Sequence, residues 1–369
     1  MTSMSKLVRL AAGLVVAGLI AIALPALAKE REVRIYNWSD YIDPQILKDF
    51  TKETGIKVVY DVFDSNEVLE TKLLAGGSGY DIVVPTGPFL SRQIKAGVFQ
   101  KLDKSKLSNI SNMWPEIMDR LAQYDPGNEH AINYMWGTTG FGYNVAKIKE
   151  RMPDAPLTSW DMIFKPEVVS KFKDCGIYLL DAPDDVTPAA LHYLGLDPNS
   201  TNPEDLQKAA DLLGKIRPNI KKFDSSQYID ALANGDICLA LGYSGDVIQA
   251  RNRARDAKNG NEIGYTIATE GAQMWFDEMA IPADAKHVAE AHEFLNYIMR
   301  PEVIAKASNF VSYANGNLAS QQFVDDSVKG DKSVYPDAGV LQKLYVKKSY
   351  DSKTQRIVTR AWTKVVTGK

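Results

Sequence analysis

The sequence predicts an α/β fold made of two lobes that face each other across a cleft. Short apolar strands alternate with amphipathic helices along the chain, which is typical of parallel sheets covered by helices. The length of 369 residues suits about two domains rather than one. One extended, aromatic and glycine-rich segment, YMWGTTG at residues 134–140, is suited to pass from one lobe to the other.

The first 28 residues are predicted to be a secretory signal peptide and not part of the fold. Lys6 and Arg9 give a basic start, and an apolar run follows at 10–24. A small-x-small motif that ends at Ala28 matches the requirement of signal peptidase. The apolar run is shorter than the roughly 20 residues that span a bilayer, so cleavage is favoured over anchoring. We therefore expect an exported protein whose mature chain begins at Lys29.

Three strand–helix units are predicted at the start of the mature chain. The first helix begins at Asp43–Pro44, an N-cap followed by a proline at the first helical position. The second has Asp64 and Glu67 at capping-box spacing. The strands are predicted at residues 33–36, 56–62 and 81–85, and the third helix at 89–96.

The same alternation continues to the C-terminus. Further strands are predicted at 175–180, 237–241, 263–268 and 274–281, and helices at 188–194, 203–216, 227–233, 244–258, 288–299, 301–308 and 354–366. We assign residues 29–136 and 259–310 to the first lobe, and 137–258 and 311–369 to the second, with a return crossing near 258–263. A cleft between two hinged lobes is the usual place for a ligand.

Charge and cysteine content narrow the class of protein. The net charge is −3 and the sequence has no basic stripe, so nucleic acid is not an expected partner. Cys175 and Cys238 are the two cysteines. In an oxidising compartment they favour one disulfide, with two buried thiols as the alternative.

No catalytic or metal-binding motif is found in the sequence. The histidines at 130, 192, 287 and 292 have no partner at metal-ligand spacing. The glycine-rich segment 75–79 lacks the lysine of a P-loop, and 242–246 lacks the last glycine of a nucleophile elbow. We therefore predict neither an enzyme nor a cofactor.

Acids and aromatic rings recur where the predicted strands end. The segments are NWSDY at 37–41, DAPDD at 181–185, YSGD at 243–246 and WFD at 275–277. Ligands of open α/β sheets bind outside the carboxyl ends of the strands. Acids beside aromatic rings suit an organic cation, because carboxylates offset the charge and rings attract an ammonium. Each residue alone could instead be an N-cap or part of the core.

Residues 37–42, NWSDYI, resemble the opening motif of the periplasmic putrescine- and spermidine-binding proteins of bacterial ABC importers. Further segments match this family: VYDVFDSNE at 59–67, YMWGTTG at 134–140, DAP at 181–183, SSQY at 225–228, LANGDIC at 232–238 and RAWTKV at 360–365. The likeness covers the whole mature chain and is greatest to the putrescine-binding branch. It implies a type II periplasmic binding fold that closes around its ligand.

The resemblance also implies the ligand site and the disulfide Cys175–Cys238. Four acids would hold ammonium groups: Asp40, Asp185, Asp246 and Asp277. Five rings would enclose the alkyl chain: Trp38, Tyr41, Tyr243, Trp275 and Tyr313. Three hydroxyl residues would accept further N–H bonds: Ser39, Thr86 and Ser225.

Some positions depart from the putrescine-type pattern. Asp185 replaces a glutamate, Tyr243 a tryptophan, Thr86 a serine and Trp275 a phenylalanine, and Pro88 stands where a small polar residue is usual. Asp185 and Trp275 are similar to the spermidine type. The implied ligand is therefore putrescine first and spermidine second, with dual binding open.

The resemblance implies a monomeric receptor that delivers its ligand to an ABC permease and the ATPase subunit of that permease. One alternative is a sensor that presents the bound polyamine to a membrane signalling partner. A periplasmic enzyme acting on amines is a third possibility, but it would need a cofactor or nucleophile that the sequence does not show.

Overall fold

A long central strand organises the sheet of this protein. The computed structural model describes residues 31–368, so the predicted signal peptide lies outside the described residues. The strands are β1 (Glu32–Trp38), β2 (Lys57–Phe63), β3 (Ile82–Val83), β4 (Ala131–Asn144), β5 (Ile177–Leu179), β6 (Lys222–Phe223), β7 (Leu239–Tyr243), β8 (Ile263–Thr266), β9 (Gln273–Ala280), β10 (Ala314–Asn315) and β11 (Tyr345–Val346).

The strands follow the order β2-β1-β3-β9-β4-β7-β5-β6. The outer pairs are parallel, as the alternation of strands and helices predicts: β1 pairs with β2 and β3, and β5 with β6 and β7. The central strand β4 is antiparallel to its neighbours. It pairs with β9 up to Thr138 and with β7 from Thr139 onwards, so it changes neighbours within the predicted crossing segment. β8, assigned above to the first lobe, pairs with residues 141–144 of β4.

Helices surround this sheet, largely where the sequence predicts them. They are α1 (Pro44–Thr54), α2 (Asn66–Leu74), α3 (Gly87–Lys95), α4 (Pro115–Leu121), α5 (Val145–Arg151), α6 (Asp161–Phe164), α7 (Pro166–Val169), α8 (Pro183–Tyr193), α9 (Pro203–Ile216), α10 (Tyr228–Asn234), α11 (Ser244–Asp256), α12 (Val288–Ile298), α13 (Pro301–Val311), α14 (Asp326–Lys329), α15 (Ala338–Leu341) and α16 (Ser352–Thr367). Within the described residues, no helix is long and apolar enough to cross a membrane.

Two predicted helix starts are wrong. The N-cap of α2 is Ser65, whose hydroxyl accepts from the amide of Val68 at 3.2 Å, and not Asp64. Helix α8 begins at Pro183 rather than at 188, because a proline at the first position followed by two acids favours a helix N-terminus there. The earlier start of α8 places Asp185 in its first turn.

Two large apolar clusters hold the structure on either side of the middle of β4. One surrounds β5 and β7 and includes Trp160 and Phe172. The other lies against β1 and includes Phe50 and Phe294. The predicted disulfide is confirmed: Cys175 and Cys238 are bonded, with their Cα atoms 5.5 Å apart. The bond forms there because β5 and β7 are adjacent, which brings together the residues that lead into each strand.

Candidate ligand-binding site

A cavity opens where strands β1, β7 and β9 contribute their aromatic and acidic residues. Its empty volume is about 560 Å³ when the open mouth is counted. It is lined by Trp38, Ser39, Tyr41, Phe63, Asp64, Asn66, Thr86, Asp185, Ser225, Ser226, Ile229, Tyr243, Asp246, Trp275, Asp277 and Tyr313. Eleven of the twelve residues predicted from the sequence are therefore brought together, and Asp40 is not among them.

Asp277 lies on β9 and is held from two other parts of the chain. Its Oδ2 accepts a hydrogen bond from the Tyr41 hydroxyl at 2.9 Å, and its Oδ1 accepts from the Thr86 hydroxyl at 2.7 Å. Thr86 is in turn held by Asn66, whose side chain donates to its hydroxyl and accepts from its amide. The carboxylate of Asp277 therefore has a fixed orientation before any ligand arrives.

Asp246 lies in the first turn of α11 and is held by two tyrosines. The hydroxyls of Tyr228 and Tyr313 each donate to one of its oxygens, both at 2.7 Å. The amide of Asp246 donates to the Tyr313 hydroxyl at 3.1 Å. A helix N-terminus also favours a negative charge at this position.

Asp185 lies in the first turn of α8 and lines the cavity. Its Oδ1 accepts from Gln273 at 2.9 Å and from Thr139 at 3.2 Å. Its Oδ2 accepts from the Tyr243 hydroxyl at 3.1 Å. Asp185, Asp246 and Asp277 are thus each held by at least two neutral donors, and each accepts from a tyrosine.

Burial raises the pKa of all three carboxyl groups. The pKa of Asp185 and that of Asp277 rise to about 7, and that of Asp246 rises to about 6. In each case the loss of solvation is the main cause, and the hydroxyl donors oppose it. These three acids line a cavity that has no lysine or arginine among its lining residues, which suits a positively charged ligand.

Aromatic rings form the walls between these acids. Trp275 packs edge-on against Tyr243 and Tyr313, with ring centroids 5.6 and 5.3 Å apart. Tyr313 continues this contact to Tyr41. Trp38 is fixed by its indole N–H, which donates to the carbonyl of Val84 at 2.9 Å. These rings present flat apolar surfaces that suit methylene groups and ring faces that attract cations.

Asp40 is placed outside this cavity. It follows β1 with a positive φ of 53°, and its Oδ1 lies 2.9 Å from Nη2 of Arg253 on α11. The other guanidinium nitrogen of Arg253 lies 2.7 Å from Asp230. Asp40 is therefore engaged with a cation of the protein itself, and its predicted contact with a ligand ammonium stays a prediction.

Replacing Asp40 by asparagine is expected to weaken polyamine binding less than about tenfold, because exposed ion pairs contribute little. The measurement is the dissociation constant by titration calorimetry. A loss as large as that from removal of a cavity acid would show that Asp40 contacts the ligand after all. Asp230→Asn serves as the matched control, since it removes the other acid on Arg253.

Five residues that line the cavity were not predicted: Phe63, Asp64, Asn66, Ser226 and Ile229. Phe63 ends β2 and pairs with Trp38 at the end of the parallel strand β1. The centroids of the two rings are 4.6 Å apart. The rule that ligands lie beyond strand ends could have identified Phe63, Asp64 and Asn66. Ile229 lies in α10 and carries no such signal.

A cavity lined by oriented acids and aromatic rings suits a small cationic solute. The chain belongs to the family of bacterial extracellular solute-binding proteins, whose model matches residues 45–335. It is a periplasmic solute-binding receptor, and this membership supports the prediction that it is not an enzyme.

The relatives agree with the resemblance found in the sequence. The putrescine-binding periplasmic protein SpuD of Pseudomonas aeruginosa (strain UCBPP-PA14) is 52% identical over 96% of this chain and 97% of its own. The putrescine-binding periplasmic protein PotF of Escherichia coli (strain K12) is 53% identical over 100% of both. Among solved structures, the spermidine/putrescine ABC transporter substrate-binding protein PotD of Streptococcus pneumoniae has a TM-score of 0.74 at 32% identity, over 91% of this chain and 98% of its own.

Proposed function

We propose that this receptor captures polyamines, with putrescine as the preferred ligand, and delivers them to an ABC permease and its ATPase subunit. The observation that carries the proposal is the convergence of Asp185, Asp246 and Asp277 on one cavity with aromatic walls. Neutral or anionic solutes would leave these acids uncompensated, whereas a linear diamine matches both the acids and the rings. The putrescine-binding relatives at 52 and 53% identity support the same ligand.

In the proposed binding mode the two ammonium groups take carboxylate partners and the alkyl chain lies between the rings. The acids are already oriented by tyrosine and threonine hydroxyls, so little ordering remains to be done on binding. Each ammonium would gain charge-assisted hydrogen bonds in a site from which water is largely excluded. Ser39 and Ser225, which line the cavity, would accept the remaining N–H bonds.

We further propose that the ligand is enclosed by hinge closure of two lobes that meet along β4. Two features support this view: β4 changes neighbours between Thr138 and Thr139, and each half has its own apolar cluster. On this view β8 belongs with the second lobe. The cavity described above, which brings acids from both halves of the chain together, would then belong to the closed form.

The test is titration calorimetry of the purified mature protein with putrescine, cadaverine, agmatine and spermidine, with 4-aminobutyrate as the control. Putrescine is expected to bind in the micromolar range or tighter, while 4-aminobutyrate, which replaces one ammonium by a carboxylate, is not expected to bind. Absence of binding to all four amines would contradict the proposal. Native mass spectrometry of protein taken from the periplasm would identify a co-purifying cation independently.

A further inference from the structure

Lys347 is the one lysine or arginine, among the residues that the structure describes, whose side chain is fully buried. Only 2% of its surface is exposed. Its ammonium lies 3.2 Å from the centre of the Tyr350 ring and donates to the carbonyl of Lys348. Its own carbonyl accepts from the Tyr124 hydroxyl at 2.6 Å. A lysine enclosed in this way is costly, so its surroundings must offset the charge.

The topology places Lys347 next to β9, which contributes Trp275 and Asp277 to the cavity. Strand β11 runs parallel to β9, with Tyr345 opposite Gln273 and Val346 opposite Met274. Lys347 directly follows β11, just as Trp275 follows Met274 on β9, and Trp275 lines the cavity. Gln273, at the start of the same ladder, is the residue that donates to Asp185.

Asp184 and Asp185 are the acids that offset this buried ammonium. Both favour the charged form of Lys347, while burial is the largest effect and lowers its pKa to about 8. Lys347 in turn lowers the pKa of Asp185, against the larger effect of burial. Lys347 therefore remains mostly charged at neutral pH. Its positive charge partly offsets the negative charge of Asp185.

Several buried polar atoms around Lys347 have no hydrogen-bond partner. They are Oδ1 of Asp184, Oε1 of Gln273 and the hydroxyls of Tyr345 and Tyr350. These atoms make the region polar, and the charge of Lys347 interacts with Asp184 and Asp185 beside them. Arg92, 3.6 Å from Asp184, adds a second positive charge nearby.

We propose that Lys347 is a specificity-determining residue that makes the receptor prefer ligands with two positive charges over ligands with three. A third ammonium that extends beyond Asp185 would meet the charge of Lys347 in a region with little solvent to screen it. The inference rests on the polyamine-binding function proposed above, and names the chemical class of ligand that this site selects.

The test separates charge from length with two ligands of matched size. Spermidine and N-propylputrescine have nearly the same length, but N-propylputrescine lacks the third amine. The wild-type protein is expected to bind N-propylputrescine at least about tenfold more tightly than spermidine, since like charges repel strongly in a poorly solvated region. Equal affinities for the two ligands would overturn the inference.

Variants assign that discrimination to Lys347. Lys347→Met removes the charge at similar length and is expected to bring the two affinities within about threefold, while Lys347→Arg keeps the charge and the discrimination. A gap that stays unchanged in Lys347→Met, with the variant shown to be folded by its thermal unfolding, would overturn the inference. If Lys347→Met does not fold, the comparison of the two ligands on the wild-type protein decides. Failure of the wild-type protein to bind putrescine would contradict the proposed function itself, which makes the two failures distinguishable.

Discussion

Replacing Asp277 by asparagine is expected to weaken putrescine binding about 100-fold or more, because loss of a buried charge partner costs about 3 kcal/mol. Asp277 is fully enclosed, and Tyr41 and Thr86 both donate to it. An amide at this position cannot offset an ammonium, and its NH₂ group would face one of these hydroxyl donors. The measurement is titration calorimetry at pH 8, where the pKa of Asp277, about 7, leaves the wild-type group mostly ionised.

The matched control for this variant is Asp161→Asn. Asp161 also accepts from a tyrosine hydroxyl, that of Tyr193 at 2.8 Å, but it does not line the cavity. Its replacement removes one negative charge from the protein without touching the site, so putrescine affinity should stay within about twofold of wild type. Thermal unfolding of both variants checks that they are folded. An Asp277→Asn protein that binds as the wild type does would remove Asp277 from the site.

Much of the fold was predictable because it depends on local signals. Helix α9 was predicted with its observed bounds, since Pro203 follows an asparagine N-cap and the apolar residues recur at helical spacing. The antiparallel setting of β4 was not predictable, because strand direction depends on which distant segments pair. The start of α2 was missed because Asp64 and Ser65 are both good N-caps, and only the backbone angles of the folded chain decide between them.

The candidate site, like the fold, was predictable only in part. The strand-end rule and the family resemblance brought together the acids and rings that line the cavity. The ion pair between Asp40 and Arg253 joins residues 213 positions apart and could not be inferred from spacing. Lys347 gave no signal either, because a lysine near a short strand is normally exposed and its burial depends on the whole assembled fold.

Putrescine binding is also expected to weaken by about 100-fold or more between pH 8 and pH 5, the range in which acids with raised pKa values gain their protons. Burial raises the pKa of Asp185 and Asp277 to about 7 and that of Asp246 to about 6. All three are mostly ionised at pH 8 and mostly neutral at pH 5 in the empty receptor. A diamine needs them ionised, so below each pKa the ligand must displace a proton, and affinity falls as the pH falls.

Proton release gives a second and independent readout of the same effect. Near pH 7 an arriving ammonium lowers the pKa of the acids beside it, so putrescine binding should release protons to the buffer. Calorimetry in buffers of different ionisation enthalpy, at constant ionic strength, measures their number. Asp277→Asn should reduce both the number of protons released and the slope of affinity against pH, because one of the titrating acids is gone, whereas Asp161→Asn should leave both unchanged. Affinity that is flat from pH 5 to pH 8 would show that the bound cation does not meet these buried carboxyl groups.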